Sequence, residues 1–426
     1  MSAVRACADA RSKTAFSMTA ADAQVYWMSA KIPNDQFLLY AFDGEPEADA
    51  TQQVLDRARG CPDLALRVDD GRGWTYPSWV RRELGRDQIV VHDVAGGWLH
   101  CLDLVARLTE HQLDLRDAAW RLHIFGGVGE VPGCAGPSTV AVVQVGHALG
   151  DGVRSSALAS VLFGRAADVP EPQHDRRGCL VTRSAAASRA HQQLNRDVAA
   201  GAVPPAAPSR PVLSVNTRPD GRRMIRTVVR RRQQLRGPTV TVAVLAAISA
   251  AMSGYLHAGG ENPEDIGAEV PMAKSAVRQS NNHFGNVGVG LYPQLTFDER
   301  VNRISEDLAA RRRRGDHLAF AAGSRALAAA PAPLLRWGIR QFDVTARSST
   351  VTGNTVVSSV NRGPADLTFG GTPVVLTAGY PALSPMMGLT HGVHGIGDTI
   401  AISVHAAESA VADIDDYLDR LSSALG

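Results

Sequence analysis

A chain of 426 residues, 45% apolar and 20% charged with a net charge of +2, is long enough for two or three globular domains at roughly 100–200 residues each. So small a net charge carries no footprint for nucleic acid or for an anionic membrane. Five cysteines, Cys7, Cys61, Cys101, Cys134 and Cys179, include no close pair, which argues against a disulfide framework and a zinc ribbon and suits a reduced cytoplasm.

Residues 1–15 read as a disordered lead. The first twenty residues carry Arg5, Asp9, Arg11 and Lys13 and lack the long apolar core of a secretory signal. Thr19 is placed to cap a short helix. Residues 36–42 read as a strand, residues 47–60 as a helix through Ala50, Val54, Leu55 and Ala58, and residues 64–68 as a strand containing Arg67. Trp74, Tyr76 and Trp79 follow in a loop-rich stretch. A helix over 97–113 and an alternating strand over 120–125 come next, then a turn-rich connection over 126–137.

The stretch 140–154 carries the strongest sign of chemistry. Its first half is a nearly unbroken apolar run, as for a strand buried on both faces. Its second half holds three glycines around His147 and Asp151, and apolar residues then recur at helical spacing. His147 is thus expected at a strand end and Asp151 at a helix entrance. An imidazole there can take a proton near neutral pH and return it. Asp151 can fix the turn, and Gly152 frees the backbone where the helix starts. A histidine capping a strand and an aspartate capping a helix would give the same spacing.

Residues 166–211 are bracketed by prolines, polar and alanine-rich, and read as a linker between a first subdomain over 16–165 and a second over 212–426. The basic run 222–236 could grip phosphates; an exposed strand face or loop is the simpler reading. Residues 240–256 are short for a membrane span and read as a buried core helix. Strands over 267–270, after 281, over 355–360 and 374–376, and a hairpin over 388–393 and 399–404, alternate with helices over 298–314, 318–342 (broken near Pro331 and Pro333) and 413–425. His391, His394 and His405 could be metal ligands, but no carboxylate or thiol cluster accompanies them, and polar strand faces explain them without a metal.

Laid out this way, most of residues 17–425 resembles the bacterial wax ester synthase/acyl-CoA:diacylglycerol acyltransferase family of the chloramphenicol-acetyltransferase-like superfamily. Condensation domains of peptide synthetases and plant BAHD acyltransferases are cousins. The family's His-His-x-x-x-Asp-Gly motif stands here as Gly146-His147-Ala-Leu-Gly-Asp151-Gly152. Residues 239–247 resemble its core helix, Phe284-Gly285-Asn286 its Gly-Asn segment, residues 358–364 its late strand and turn, and residues 62–67 the superfamily's Pro-x-x-Arg-x-Arg strand.

The resemblance implies an α/β fold of two subdomains side by side with a tunnel at their interface. Donor and acceptor would enter it from opposite faces and meet at His147. It also implies an acyl thioester donor, with acyl-CoA as co-substrate or an acyl carrier protein as its alternative source, and a small-molecule acceptor. His147 would be the base, and Arg67 the partner of Asp151. Asn286, Ser358 and Ser359 would line or support the tunnel. No tightly bound cofactor, no metal and at most peripheral membrane contact are implied. The chain departs from the family at Gly146 for the first histidine, Ala118-Ala119 for Pro-Leu, Thr241-Val242 for Asn-Asp, and Val360 and Arg362 for the Asn and Pro of the late turn. These departures leave the fold and the base in place. They point away from long-chain wax or triacylglycerol synthesis, toward a specialised relative that tailors a natural product, with a condensation-like or catalytically silent protein as rival readings.

Overall fold

The computed structural model describes residues 15–94, 96–173 and 178–426. Residues 1–14 of the expected lead lie outside this range; Ala15 already opens a short strand, Ala15–Ser17.

Two six-stranded sheets carry the molecule. In the first, the order is Thr368–Phe369, Thr372–Gly379, Gln36–Phe42, Ser138–Val145, Trp120–Val128 and Ile89–His92. In the second, it is Phe284–Gly290, Gly267–Ala273, Thr355–Asn361, Leu389–Ile396, Thr399–Ala407 and Arg223–Arg231.

Side-chain alternation sorts each sheet into two faces. On Gln36–Phe42, Leu38, Tyr40 and Phe42 join a core with the helices Ala20–Ser29, Ala50–Gly60 and Gly152–Leu162. Phe37, Leu39 and Ala41 point the other way, into a cluster that includes the helix Trp98–Leu108 and reaches Ile225 and Ala401 of the second sheet. The central strand Ser138–Val145 is buried along its whole length, as its apolar run requires. On the second sheet, Ala268, Val270, Val289, Val357 and Val393 pack against the helices Val240–Ala258 and Ile414–Leu425. Val240–Ala258 is apolar because it is the spine of that core. The basic strand Arg223–Arg231 pairs with Thr399–Ala407 and spends two of its arginines on the last helix: Arg226 on Asp415 and Arg230 on the Ser422 carbonyl.

The division by sequence is crossed by Ala332 and Leu335, which pack into the first core, and within the sheets by the hairpin of Thr368–Phe369 and Thr372–Gly379. Thr372–Gly379, from the second half of the chain, pairs antiparallel with Gln36–Phe42 in the first sheet. Arg362 explains how this crossover is held. Its guanidinium is buried and donates to Thr377 Oγ1, to the Ala378 carbonyl at 2.9 Å and to the Leu39 carbonyl at 3.4 Å, while lying 5.1 Å from the Tyr40 ring centroid. A proline at this position could make none of these bonds. The expected linker also carries more order than its composition suggests, in the 20-residue helix Leu180–Ala199.

Candidate active site

The central strand ends at Val145, and the Gly146 amide bonds the Ala119 carbonyl at 3.0 Å. A single 3-10 turn, His147–Leu149, follows. Asp151 then caps the helix Gly152–Leu162, its Oδ1 accepting from the Arg154 amide at 3.0 Å. Strand end, turn and capped helix stand where the sequence puts them.

What braces this turn comes from across the subdomain boundary. Between the strands Gly267–Ala273 and Phe284–Gly290 runs a connection whose residues 278–283 lie against the motif. Asp151 Oδ2 accepts from the His283 amide at 2.9 Å and from the Arg278 guanidinium at 3.0 Å. The Asp151 amide donates to the Asn281 carbonyl at 3.2 Å. Asn282 Nδ2 donates to the His147 carbonyl at 2.9 Å, and Asn281 Nδ2 to the Ala148 carbonyl at 3.3 Å.

A second buried carboxylate holds the connection itself. Asp22 accepts from the amides of Asn281 and Asn282, both at 3.0 Å, from Asn282 Nδ2 at 3.1 Å and from Thr19 Oγ1 at 2.7 Å. Burial nonetheless pushes its carboxyl above the usual range, the four hydrogen-bonded groups pulling the other way.

Arg67 is not the partner of Asp151. It is exposed, and among the described residues it reaches the Arg116 carbonyl alone, at 3.4 Å. Alternation decides this: Leu66 and Val68 face the core, so Arg67 faces water. The segment that contains it does brace the motif, but through Asp63, which pairs with the buried Arg154 at 3.1 Å; Arg154 in turn bonds the Leu149 carbonyl at 3.0 Å.

The His147 ring is desolvated, which holds it below the ordinary imidazole range. Its own carbonyl, Asn282 and the carboxylates of Asp151 and Asp22 oppose that shift. The ring is therefore neutral at pH 7, the form that accepts a proton. Nδ1 is buried without a partner of ordinary hydrogen-bond geometry. Phe284 lies 5.8 Å away, centroid to centroid, so the second sheet supplies one wall of the imidazole's surroundings.

Gly146 occupies the position of the family's first histidine. A Cβ there would come within 2.7–2.9 Å of the Leu115 side chain, so the space is already filled. Gly152 is packed as well: a Cβ on it would lie 3.1 Å from Val360 of the second sheet.

That contact orients the strand Thr355–Asn361. Val360 faces the motif, and Ser358, two residues earlier, shares its face. Ser359 points the opposite way and accepts from Thr241 Oγ1 at 2.9 Å, at the start of the core helix. Asn286 is exposed on the edge strand and donates to Glu269 Oε1. It shares the face of Phe284 and does not touch the motif.

Of the three late histidines, His391 and His405 are engaged by protein groups. His391 bonds Thr355 Oγ1 and Tyr417 Oη, both at 2.8 Å, and burial pushes it down to about 3. His405 bonds the Pro381 carbonyl at 3.0 Å and is pushed down to about 4, chiefly by burial. His394 stacks its burial on the nearby Arg362 charge, and both depress it. Among the described residues no group of three or more His, Cys, Asp or Glu side chains is placed to hold a metal.

Sequence reasoning overlooked Asp22, Arg278, Asn281 and Asn282. One local signal existed: Thr19 followed three residues later by Asp22 is a capping arrangement. Nothing local shows that the same carboxylate also serves a loop some 260 residues away.

Residues 281–426 match the family model of the WS/DGAT C-terminal domain. No curated protein sequence matches the chain. Among solved structures, it is similar to the wax ester synthase/diacylglycerol acyltransferase from Marinobacter aquaeolei VT8, at 20% identity and a TM-score of 0.63 over 96% of this chain and 98% of that one. It is also similar to the starter condensation domain of rhizomide synthetase RzmA. A variant of that domain in complex with C8-CoA aligns at 13% identity and a TM-score of 0.57 over 97% of this chain and 95% of that one. A second variant, with C8-CoA and Leu-SNAC, aligns at the same identity and TM-score over 97% and 93%. The fold is thus of chloramphenicol-acetyltransferase type, with two subdomains side by side.

Proposed function

We propose that this chain, which carries a WS/DGAT C-terminal domain, transfers an acyl group from a coenzyme A thioester to a hydroxyl, or less readily an amine, of a small molecule. The observation that carries the reading is His147: a neutral imidazole at the end of a rigid strand, walled by Phe284 and braced by Asn282 from the opposite subdomain.

In this reading both substrates reach His147 through a tunnel between the subdomains. The imidazole takes the proton of the acceptor hydroxyl as its oxygen attacks the thioester carbonyl. A tetrahedral intermediate forms with its charge on the former carbonyl oxygen. The C–S bond then breaks, the ester carbonyl reforms, and the imidazolium returns its proton to the departing thiolate. Ser358 is the better candidate to donate to the oxyanion, because it shares the motif-facing side of its strand with Val360, whereas Ser359 is engaged by Thr241. Asp151 is a positioning residue: its carboxylate is consumed by a backbone cap, the His283 amide and Arg278.

The acceptor we infer is a specialised small molecule, such as a natural-product intermediate, and not a long-chain alcohol or diacylglycerol. The positions that depart from the family support this: Gly146, Thr241-Val242, Val360 and Arg362 all have other packing duties here. We place the reaction in the cytoplasm; the four cysteines among the described residues are free, in keeping with a reduced compartment.

The test is thiol release from a series of acyl-CoA donors, with and without candidate alcohols and amines, for wild type and Ser358→Ala. Acceptor-dependent thiol release that falls roughly 100- to 1,000-fold in Ser358→Ala supports the reading, the loss expected for one oxyanion donor. Release only from carrier-protein thioesters would move the donor assignment to a condensation-like enzyme, and no release from any thioester would leave a binding scaffold.

A further inference from the structure

The second sheet presents one further carboxylate toward the first. Ala268 and Val270 lie in the second subdomain's core, so Glu269 between them faces the other way, toward the first subdomain. Val289 and the partly buried Val287 pack on that same core, so Asn286 shares the face of Glu269. Phe284, whose ring touches His147's surroundings, belongs to this face too. So does Ser358, since Val357 is in the core and Glu269 pairs in register with Val356. One continuous strip therefore runs from the imidazole past Phe284, Asn286 and Ser358 to Glu269.

Glu269 is half-buried, and desolvation raises its carboxyl above the ordinary range, with Asn286 opposing. Among the described residues its one hydrogen-bond donor is Asn286 Nδ2, and no Arg, Lys or His pairs with it. A partly desolvated carboxylate without a cation is an unfavourable arrangement that a positively charged ligand would relieve. Its register partner Gly288 lies four residues beyond Phe284, which puts Glu269 roughly 13 Å along the sheet from Phe284 at about 3.3 Å per strand residue, on the side of Phe284 that leads away from the motif. Beyond it the strip is closed: a Cβ on Gly288 would meet Ala207 and Thr352.

We infer that Glu269 selects the acceptor: the molecule acylated is a small alcohol that also carries a protonated amine or other organic cation, which Glu269 and Asn286 receive while the hydroxyl reaches His147. This rests on the acyltransfer reading above and adds the acceptor's chemical class. An apolar long-chain alcohol would leave the Glu269 carboxylate desolvated and unpaired, which selects against it.

The experiment uses matched alcohols that differ in one charge: ω-trimethylammonio primary alcohols of two to ten carbons, and their neutral tert-butyl counterparts, with one acyl-CoA donor that supports thiol release. The wild-type protein should prefer the cationic member of at least one pair by about tenfold or more in kcat/KM, through KM, with the optimum among the longer chains. Glu269→Gln should collapse that ratio toward one. A wild-type preference for the neutral members, or a ratio that Glu269→Gln leaves unchanged, overturns the inference while leaving acyl transfer intact. Failure of every alcohol and amine to accept an acyl group overturns the acyltransfer reading and this inference with it. Asn286→Ala, which keeps the carboxylate but removes its donor, should lower the ratio partway and keeps the test readable if Glu269→Gln is unstable.

Discussion

Asp151 and Arg278 meet at 3.0 Å across the boundary between the two subdomains, with only 7% and 15% of their side chains exposed. The carboxylate of the histidine motif is thus a latch between the two halves of the site. Removing one partner of a buried pair leaves an uncompensated charge, at a cost of about 3–5 kcal/mol. Asp151→Asn and Arg278→Ala should each lower stability and acyl transfer together. The double variant should lose clearly less than the sum, with a coupling of about 1–3 kcal/mol in a denaturant-unfolding cycle. Additive losses would mean that the pair does not hold the subdomains together.

Arg67→Ala tests the correction to the sequence reading. An exposed side chain with one long bond to a carbonyl contributes little. Its removal should change stability by no more than about 0.5 kcal/mol and turnover by less than about twofold. Asp63→Ala, which strands the buried Arg154, should be far more damaging. A crippled Arg67→Ala protein would show that the guanidinium reaches the motif after all.

Gly146→His restores the motif's first histidine, yet it should harm the protein. The new side chain must displace Leu115, which is buried against the same strand end. Overpacking of this kind costs about 1–3 kcal/mol. Pairing the change with Leu115→Ala should recover part of the lost thermal stability. A Gly146→His protein as stable as wild type would mean that the pocket beside the motif is more open than the Leu115 packing indicates.

Much of this arrangement could be read from the chain. The unbroken run before His147 fixes a doubly buried strand, and the glycines around Asp151 fix the turn and helix start, because both signals are local. The strip of Val240–Ala258 reads as core for the same reason. The partner of Asp151 and the anchor of the connection that supplies it could not be read, because Arg278 and Asp22 are ordinary polar residues in ordinary local contexts. Their roles exist only once two subdomains, distant in sequence, close on each other. Resemblance supplied Arg67 in their place, and the alternation of Leu66 and Val68 was the observation that could have excluded it. The crossover of Thr372–Gly379 into the first sheet is likewise a matter of pairing, which no single strand's pattern records.

The pH dependence follows from the state of the imidazole. Desolvation holds His147 below 6.5, so the ring is neutral at pH 7 and protonates only as pH falls through that depressed value. Because the neutral ring is the base, kcat/KM should be flat through neutrality and fall on an acid limb centred below pH 6.5. Asp151 contributes to keeping the ring's affinity for protons up, so a folded Asp151→Asn protein should show that limb displaced to still lower pH. An acid limb centred above pH 7 would mean that the base is not the desolvated His147 imidazole, and loss of rate as pH rises through 7 would require a cationic acid at this position.

The most direct test of the whole account is acceptor-dependent thiol release from acyl-CoA by the His147→Ala protein, compared with wild type after circular dichroism and thermal unfolding have shown both to be folded. Positioned general-base catalysis contributes roughly 10²–10⁴-fold, and the rate should fall by that factor. A folded His147→Ala protein that releases thiol at the wild-type rate would contradict the assignment of the imidazole as the base.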